Sequence, residues 1–289
     1  MLKIAFNGFM MALADSVPGV SGGTVAFIMG FYDRFISSIY DLLYGNIEHK
    51  KSAICYLIKL AVGWIFGMLL AVIILSSLFE KQIYQVSSLF IGFILGSIPL
   101  IINEEKDTFK QLKKGILFCV LGITVVALIT FANSYLHMQE MKMSQLSLSL
   151  FLKLFIVGML AISAMFLPGI SGSTILLIFG AYIPVITSIK EIISLHFSAF
   201  GSLVVFGFGV LFGVFTVVKL IKYCLEKYKV QTLFMVLGMM IGSFYAIIMG
   251  PTTLAVKQLP LDLQHFHIIY ALIGLALVLF MQFIKERSE

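Results

Sequence analysis

The fold of this 289-residue chain is decided by a stretch that occurs twice, Ala14-Asp-Ser-Val-Pro-Gly-Val-Ser-Gly-Gly-Thr-Val-Ala-Phe-Ile-Met-Gly-Phe-Tyr32 and Ala164-Met-Phe-Leu-Pro-Gly-Ile-Ser-Gly-Ser-Thr-Ile-Leu-Leu-Ile-Phe-Gly-Ala-Tyr182. The second copy follows the first at a distance of 150 residues and keeps Pro-Gly-x-Ser-Gly. Proline interrupts a helix, and a serine beyond it is a preferred cap for the next one. Each stretch therefore predicts a helix that breaks and starts again inside an apolar sequence.

A second set of paired motifs extends the repeat over the rest of the chain. Gly63-x-x-Phe-Gly67 recurs 146 residues later as Gly209-x-x-Phe-Gly213, and Gly92-x-x-x-Gly96-Ser97 recurs as Gly238-x-x-x-Gly242-Ser243. Collinear agreement of several motifs indicates a duplicated chain, with a first repeat over residues 1–147 and a second over residues 148–289. Small residues at this spacing let membrane helices approach closely, so we interpret most paired positions as packing rather than chemistry.

The composition excludes an ordinary soluble domain. Hydrophobic residues make up 60% of the chain and charged residues only 12%, and the mean hydropathy is +1.06. This leaves too little polar surface for a protein that faces water, so most of the chain lies in lipid. The net charge of +6 comes from basic residues clustered between apolar runs, which indicates membrane topology rather than nucleic-acid binding.

Two further features of the sequence are interpreted as structural. The three cysteines, Cys55, Cys119 and Cys224, show no metal-ligand spacing, so neither a disulfide scaffold nor a zinc site is predicted. The first 14 residues resemble a signal peptide. Because the same stretch recurs inside the chain, we interpret it as the start of the first repeat.

The apolar runs and the charges between them predict the topology. A bilayer core of about 30 Å needs about 20 helical residues, which the run 3–14 cannot supply. We therefore predict that each Pro-Gly-x-Ser-Gly segment is the tip of a hairpin whose arms enter and leave on the same side. The basic loops then gather on one side, which is cytoplasmic by the positive-inside rule and holds both termini. The runs are 3–14, 24–44, 52–79, 84–102, 115–135, 148–166, 174–190, 196–223, 231–250 and 265–284.

The predicted fold is an all-α polytopic membrane protein with two inverted-topology repeats in one transmembrane domain. Each repeat contains one broken, re-entrant-type helical hairpin and about three spanning helices. The hairpin tips lie at residues 15–24 and 165–174 and approach the middle of the bilayer from opposite sides. In transporters this symmetry places the substrate site at the interface between the repeats.

The two tips are candidates for binding an anion such as phosphate. A helix start offers free backbone N–H groups and the positive end of the helix dipole, and glycines let the backbone approach a ligand closely. No Walker sequence is present. The alternative is that the hydroxyls only cap the short helices. The candidate residues are Ser21, Gly22, Gly23, Thr24, Ser171, Gly172, Ser173 and Thr174, and the structural breaks are Pro18, Gly19, Pro168 and Gly169.

Two charged residues near the first tip have no counterpart in the second, where Met165 and Pro184 occupy the equivalent positions. Asp15 lies near the predicted middle of the bilayer, where an ionisable group costs about 2.5–3.5 kcal/mol and is functional by default. It is a candidate for proton exchange, for pairing with Arg34, or for capping the turn. The guanidinium of Arg34 is a candidate for bidentate phosphate binding or for an anchor at the cytoplasmic headgroups.

The chain resembles the PopT-like family of bacterial polyprenyl-phosphate transporters at both copies of Pro-Gly-x-Ser-Gly and at the residues that flank the first copy, from Ala14 to Arg34. The resemblance runs the full length. It implies that the protein returns undecaprenyl phosphate, the lipid carrier of cell-wall precursors, from the outer to the inner leaflet of the bacterial cytoplasmic membrane. It also assigns substrate binding to Asp15, Ser21, Gly22, Gly23, Thr24, Arg34, Ser171, Gly172, Ser173 and Thr174.

Two other functions fit parts of the sequence. A transporter or channel for a small soluble anion needs a continuous aqueous path. A membrane lipid-phosphate phosphatase needs a nucleophile with its base, or a metal-binding carboxylate cluster, and the motifs contain neither, so we predict that the chain is not an enzyme. The predicted partners are a lipid phosphate and membrane lipids, without nucleic acid, cofactor or metal. Coupling to a proton or another ion and the oligomeric state stay open.

Overall fold

A computed structural model describes residues 2–15, 21–70, 76–135, 143, 147–193, 195–253 and 258–287. Within these residues the secondary structure is helical and contains no strand, which confirms the predicted all-α class. The helices are α1 (Leu2–Asp15), α2 (Gly22–Ile28), α3 (Tyr32–Tyr44), α4 (Ile47–Leu70), α5 (Ser76–Glu104), α6 (Lys106–Phe109), α7 (Leu112–Tyr135), α8 (Leu148–Phe166), α9 (Gly172–Ile178), α10 (Tyr182–Ile193), α11 (Phe200–Lys227), α12 (Lys229–Met249) and α13 (Ile268–Arg287), with a 3₁₀ helix at Gly250–Thr253.

Both halves begin with the same order of helices. The short helices α2 and α9 each have seven residues and begin 150 residues apart, at Gly22 and Gly172. Each is followed by a turn with a glycine of positive φ, 70° at Gly30 and 63° at Gly180. This turn divides each of the predicted apolar runs 24–44 and 174–190 into two helices.

The first helix of each half packs in parallel against the first long helix after the broken segment, α1 against α4 and α8 against α11. In the first half, Ala5 lies against Gly63 and Phe9 against Gly67. These contacts advance by four residues on both helices, so α1 and α4 run in the same direction. A methyl group on Gly63 would overlap the backbone of α1, which is the packing role predicted for the paired glycines. The equivalent contacts of α8 with α11 are Phe155 with Gly209 and Met159 with Gly213.

The other long helices pair between the halves. Helix α5 packs against α13, and α7 packs against α12. Gly92 and Gly96 of α5 lie against Ala271 and Leu275 of α13, again in a parallel register. Because consecutive spanning helices alternate in direction, two inverted halves require such parallel pairs; the inverted topology itself stays a prediction. The equivalent contacts of α7 with α12 are Cys119 with Gly238 and Ile123 with Gly242.

Six helices of the described chain are long and apolar enough to cross a membrane, within Ile47–Leu70, Gln82–Asn103, Leu112–Ala132, Leu148–Phe166, Phe200–Lys227 and Lys229–Thr252. The number agrees with the predicted six spanning helices. Helix α8 has 19 residues, about 28 Å at the rise of an α-helix, and is long enough to span although we predicted a hairpin arm. Helix α13, which was predicted to span, has 20 residues, Ile268–Arg287, and begins with the apolar stretch Ile268–Phe280.

The outside of the helix bundle is apolar. Phe66, Leu117 and Ile268 are exposed by 66%, 70% and 66%, and many other large apolar side chains are exposed with them. An apolar surface of this extent is stable in contact with lipid and not with water. The chain is therefore a multi-pass membrane protein.

Candidate functional site

The two broken segments contact each other where the halves meet. The Thr24 hydroxyl oxygen accepts a hydrogen bond from the backbone N–H of Gly169 at 2.7 Å. The Ser21 hydroxyl donates to the Leu167 carbonyl at 3.2 Å. Residues that are about 145 positions apart in sequence thus join the start of α2 to the loop between α8 and α9. This contact brings the two candidate tips into one place.

The hydroxyls of the first tip already have partners. Ser21 caps α2, because its Oγ accepts from the Thr24 backbone N–H at 3.2 Å, and the two hydroxyl oxygens lie 3.1 Å apart. Since the Ser21 proton goes to the Leu167 carbonyl, the Thr24 hydroxyl donates to Ser21. Both residues are only 1% exposed. In this structure, the first tip uses its hydroxyls to cap α2 and to hold the halves together.

The close approach of the tips depends on glycine. Gly169 has a φ of +84° and lies in the left-handed region, which favours glycine. A Cβ on Gly23 would lie 3.0 Å from a carbonyl oxygen at the end of α8, so a larger residue would push the halves apart. The predicted break at Pro168 is buried in this contact. The equivalent Pro18 and Gly19 lie outside the described residues.

Asp15 connects three helices. Its Oδ1 accepts a hydrogen bond from the Gly22 backbone N–H at 2.6 Å, and its Oδ2 accepts one from Trp64 Nε1 at 2.9 Å. The carboxylate therefore holds the end of α1 to the start of α2 and to α4. Asp15 does not pair with Arg34 in this structure, which was one of the roles that the sequence left open, because Arg34 follows the turn that ends α2 and lies over the ring of Tyr56.

An apolar contact replaces this carboxylate in the second half. A Cβ on Gly172 would lie 2.6 Å from Met165 Cγ, at the place where the equivalent atom in the first half would meet Asp15. Val210 stands 146 residues after Trp64. The hydrogen-bonded pair of the first half thus corresponds to a pair of apolar residues in the second.

The hydroxyls of the second tip have fewer partners. Ser171 precedes α9 but makes no capping hydrogen bond with its side chain. Its Oγ lies 2.7 Å from Ser173 Oγ. One of the two hydroxyl protons lies between these oxygens, and the other has no acceptor among the described residues. Thr174 is half-buried on the same helix start. The second tip therefore presents donors that the first tip uses internally.

Arg34 lies two residues into α3 and makes no hydrogen bond to either tip within the described chain. Its side chain is exposed, and its guanidinium carbon lies 4.7 Å from the centroid of the Tyr56 ring. The neighbouring Asp33 interacts electrostatically with Lys229 and Glu105, which form an ion pair of 2.9 Å between the ends of α5 and α12. Asp33 is therefore placed near the ends of these two helices.

Sequence reasoning did not identify Trp64 or Tyr32 as site residues. Trp64 is the single tryptophan of the chain. The second repeat has apolar residues at the positions equivalent to Trp64 and to Asp15. This shared asymmetry is the signal that could have found it. The Tyr32 hydroxyl donates to the Phe166 carbonyl at 2.9 Å and adds a third bond between the halves. Tyr32 recurs in the second repeat as Tyr182, and paired positions of this kind were interpreted as packing residues.

Comparison with known proteins gives one consistent result. The chain matches the family described as undecaprenyl phosphate translocase-like over residues 11–264. It is 37% identical over 252 residues to a polyprenyl-phosphate transporter of Staphylococcus aureus, covering 86% of each chain. It is 30% identical over 254 residues to a polyprenyl-phosphate transporter of Vibrio cholerae, covering 84% of this chain and 76% of that one. No solved structure significantly matches the chain.

Proposed function

This chain belongs to the undecaprenyl phosphate translocase-like family, and we propose that it moves a polyprenyl phosphate across the bacterial cytoplasmic membrane. The proposed substrate is undecaprenyl phosphate, returned from the outer to the inner leaflet for further rounds of cell-wall synthesis. The observation that carries the proposal is the contact between two broken segments from opposite halves, where Ser171 and Ser173 offer a hydroxyl donor. Neutral donors at a helix start suit a phosphate group.

The physical properties of the lipid agree with this arrangement. Each buried CH₂ group contributes about 0.8 kcal/mol to membrane binding, so a long polyprenyl tail stays in the hydrocarbon throughout. Only the phosphate needs a polar path. An apolar outer surface and a polar contact between two halves fit a carrier that opens sideways to lipid while the head crosses.

We assign the two tips different parts in this movement. Ser171, Gly172, Ser173 and Thr174 are the proposed binding groups in the present conformation. Separation of the tips would break the bond between Thr24 and Gly169, and the groups at Ser21, Gly22, Gly23 and Thr24 would then be free to bind the phosphate. The inverted relation of the halves would make each tip accessible from one leaflet.

The charged residues of the first half are proposed to regulate binding and release. Arg34 holds the phosphate on the cytoplasmic side through its bidentate guanidinium. Asp15 exchanges a proton, and protonation removes the negative charge that orders Gly22 and Trp64. The start of α2 would then be less tightly held. The protein would couple lipid movement to a proton or another ion in this way.

The function is tested with the purified full chain in liposomes that carry undecaprenyl phosphate in one leaflet. We expect protein-dependent movement of the lipid to the other leaflet, without release of inorganic phosphate. Phosphate release would identify a phosphatase. Uptake of soluble phosphate into the same liposomes, with no movement of the lipid, would identify a transporter of soluble anions and contradict the proposal.

The proposed orientation, with both termini in the cytoplasm, is tested by cysteine labelling in cells. The background variant lacks Cys55, Cys119 and Cys224. Cysteines at Lys50 and Lys114 should be protected from an impermeant reagent, whereas a cysteine at Leu263, which is 95% exposed, should react from outside. Labelling of both lysine positions from outside would reverse the orientation, and labelling of only one would contradict the predicted hairpin.

A further inference from the structure

Tyr56 of α4 has a hydroxyl group without a hydrogen-bond partner. The residue is only 5% exposed, and its hydroxyl is the one fully buried side-chain polar atom of the described chain that lacks a partner. A buried hydroxyl without a partner costs free energy that a phenylalanine ring would not. Such a group in a native structure calls for a reason, and binding of a ligand is one.

The surroundings of this hydroxyl indicate which ligand it would meet. The Arg34 guanidinium lies over the Tyr56 ring, 4.7 Å from its centroid, and Arg34 forms no ion pair with a carboxylate of the described residues. A guanidinium fork and a phenol O–H are both donors. Their common ligand is therefore an acceptor with several oxygens and negative charge, and phosphate has both properties.

The second half shows that this pair is not required by the fold. Ser202 stands at the position equivalent to Tyr56, 146 residues later, and Pro184 stands at the position equivalent to Arg34. The Ser202 hydroxyl is satisfied, because it donates to the Met143 carbonyl at 2.7 Å. The second half, whose hairpin has neutral donors only, thus lacks equivalents of both Tyr56 and Arg34.

We propose that Tyr56 and Arg34 together form a second binding station for the phosphate of the lipid substrate, distinct from the hairpin tips. This inference rests on the proposed function. Tyr56 stands eight residues before Trp64 on α4, about 12 Å along the helix, so one helix carries contacts to both Arg34 and Asp15. The phosphate passes from the tips to this station before it leaves to the cytoplasmic leaflet.

The test compares Tyr56→Phe with the parent protein in detergent micelles, using undecaprenyl phosphate and, as a ligand without phosphate, undecaprenol. We expect the variant to bind undecaprenyl phosphate about tenfold more weakly, which corresponds to about 1.4 kcal/mol, and undecaprenol equally well. Its melting temperature without ligand should stay the same or rise. The matched control is Tyr84→Phe of α5, which removes a hydroxyl bonded to the Leu259 carbonyl in the loop before α13 and should bind as the parent does.

A double-mutant cycle with Arg34→Lys tests whether the two residues act as one station. We expect coupling of at least threefold in the binding constant, because the two donors share one phosphate. Independent effects, equal binding by Tyr56→Phe, or a lower melting temperature of that variant without ligand would each overturn the inference. Weaker binding of inorganic phosphate alone, with unchanged lipid binding, would assign the pair to free phosphate and overturn it as well.

The same proteins in liposomes separate this inference from the proposed function. If the parent moves undecaprenyl phosphate and Tyr56→Phe moves it at the same rate, the second station is wrong and the transport function stands. If the parent does not move the lipid at all, the proposed function itself fails. Slower movement by Tyr56→Phe together with weaker binding supports both.

Discussion

The short helix of the first half begins at Gly22 under the carboxylate of Asp15, whereas that of the second half begins at Gly172 under the thioether of Met165. Both helices have seven residues, and both are followed by a turn with a left-handed glycine. The backbone is therefore common to the two halves, while the chemistry is not.

The hydroxyl groups of the first tip have more hydrogen-bond partners than those of the second tip. Those of the first tip are bonded to the second half through Leu167 and Gly169. Those of Ser171 and Ser173 are bonded mainly to each other. The first half thus contributes charge and the connection between the tips, and the second half contributes neutral donors. Four substitution experiments test this difference between the halves.

The largest expected effect is that of Arg34→Ala on transport in liposomes. Loss of a bidentate, charge-assisted contact should slow movement of undecaprenyl phosphate about 100-fold, since each hydrogen bond to a charged group contributes about 1.5–3 kcal/mol. Arg34→Lys keeps the charge but loses the fork, so about a tenfold loss is expected. Lys110→Ala, which removes an exposed ion pair with Asp107, is the control. A loss of melting temperature in proportion to the loss of transport would show that Arg34 is only a structural anchor.

The next effect is that of Asp15→Asn. An amide keeps an acceptor for Gly22 or Trp64 but cannot exchange a proton, so transport should slow about tenfold, less than the roughly 10²–10⁴-fold that a proton-transfer group contributes to a chemical step. The rate should also lose most of its dependence on pH. Transport rates measured across the pH range, beside the melting temperature, check this. A variant that keeps the pH profile of the parent would show that Asp15 only holds the helices together.

A smaller pair of effects distinguishes the hydroxyls of the two tips. Thr24→Val should lower the stability of the protein by about 0.6–1.7 kcal/mol, the range for side-chain hydrogen bonds between membrane helices, and should weaken lipid binding less than the serine substitutions of the second tip, because its hydroxyl is bonded to Gly169 in the present conformation. Ser171→Ala with Ser173→Ala should weaken binding about fivefold with little change in stability. Melting and binding measured on the same samples decide this. The reverse pattern would exchange the roles of the tips.

The smallest effect is expected for Trp64→Phe, which removes one of the two hydrogen bonds to Asp15. The expected loss is about 0.6 kcal/mol of stability and about a twofold change in transport. At the equivalent place in the second half, Met165→Leu conserves volume and changes no hydrogen bond, so it should leave transport unchanged. Equal effects of the two variants would mean that the carboxylate and the thioether serve the same packing purpose.

The repeat made most of the fold predictable, because a periodic set of glycines marks the helix faces that pack closely against a neighbour. Gly63 and Gly92 were assigned to packing from sequence and contact the backbone of neighbouring helices. The partner of each helix was not predictable. Spacing along one helix does not say which other helix it meets, and the contact of Gly92 with Ala271 joins residues from opposite ends of the chain.

The site was predictable in its positions and less so in its contacts. The opposite charges of Asp15 and Arg34 suggested an ion pair. The partner that a side chain contacts, however, depends on which groups the local backbone places within its reach. Arg34 follows the turn after α2 and lies over the Tyr56 ring, while the carboxylate of Asp15 accepts hydrogen bonds from the N–H groups of Gly22 and Trp64. A comparison of the two halves position by position would have identified Trp64, since it is lost together with Asp15.

The pairing of α5 with α13 also constrains how the protein is made. Gly92 and its partner Ala271 are separated by 179 residues, which a ribosome adds in about 9–36 seconds at 5–20 residues per second. During that interval the small-residue groove on α5 is in the membrane while its own partner is still unsynthesised. The first half is therefore not a unit of assembly. A nascent chain that stops before residue 268 has the small-residue face of α5 at Gly92 and Gly96 but not the helix that packs against it.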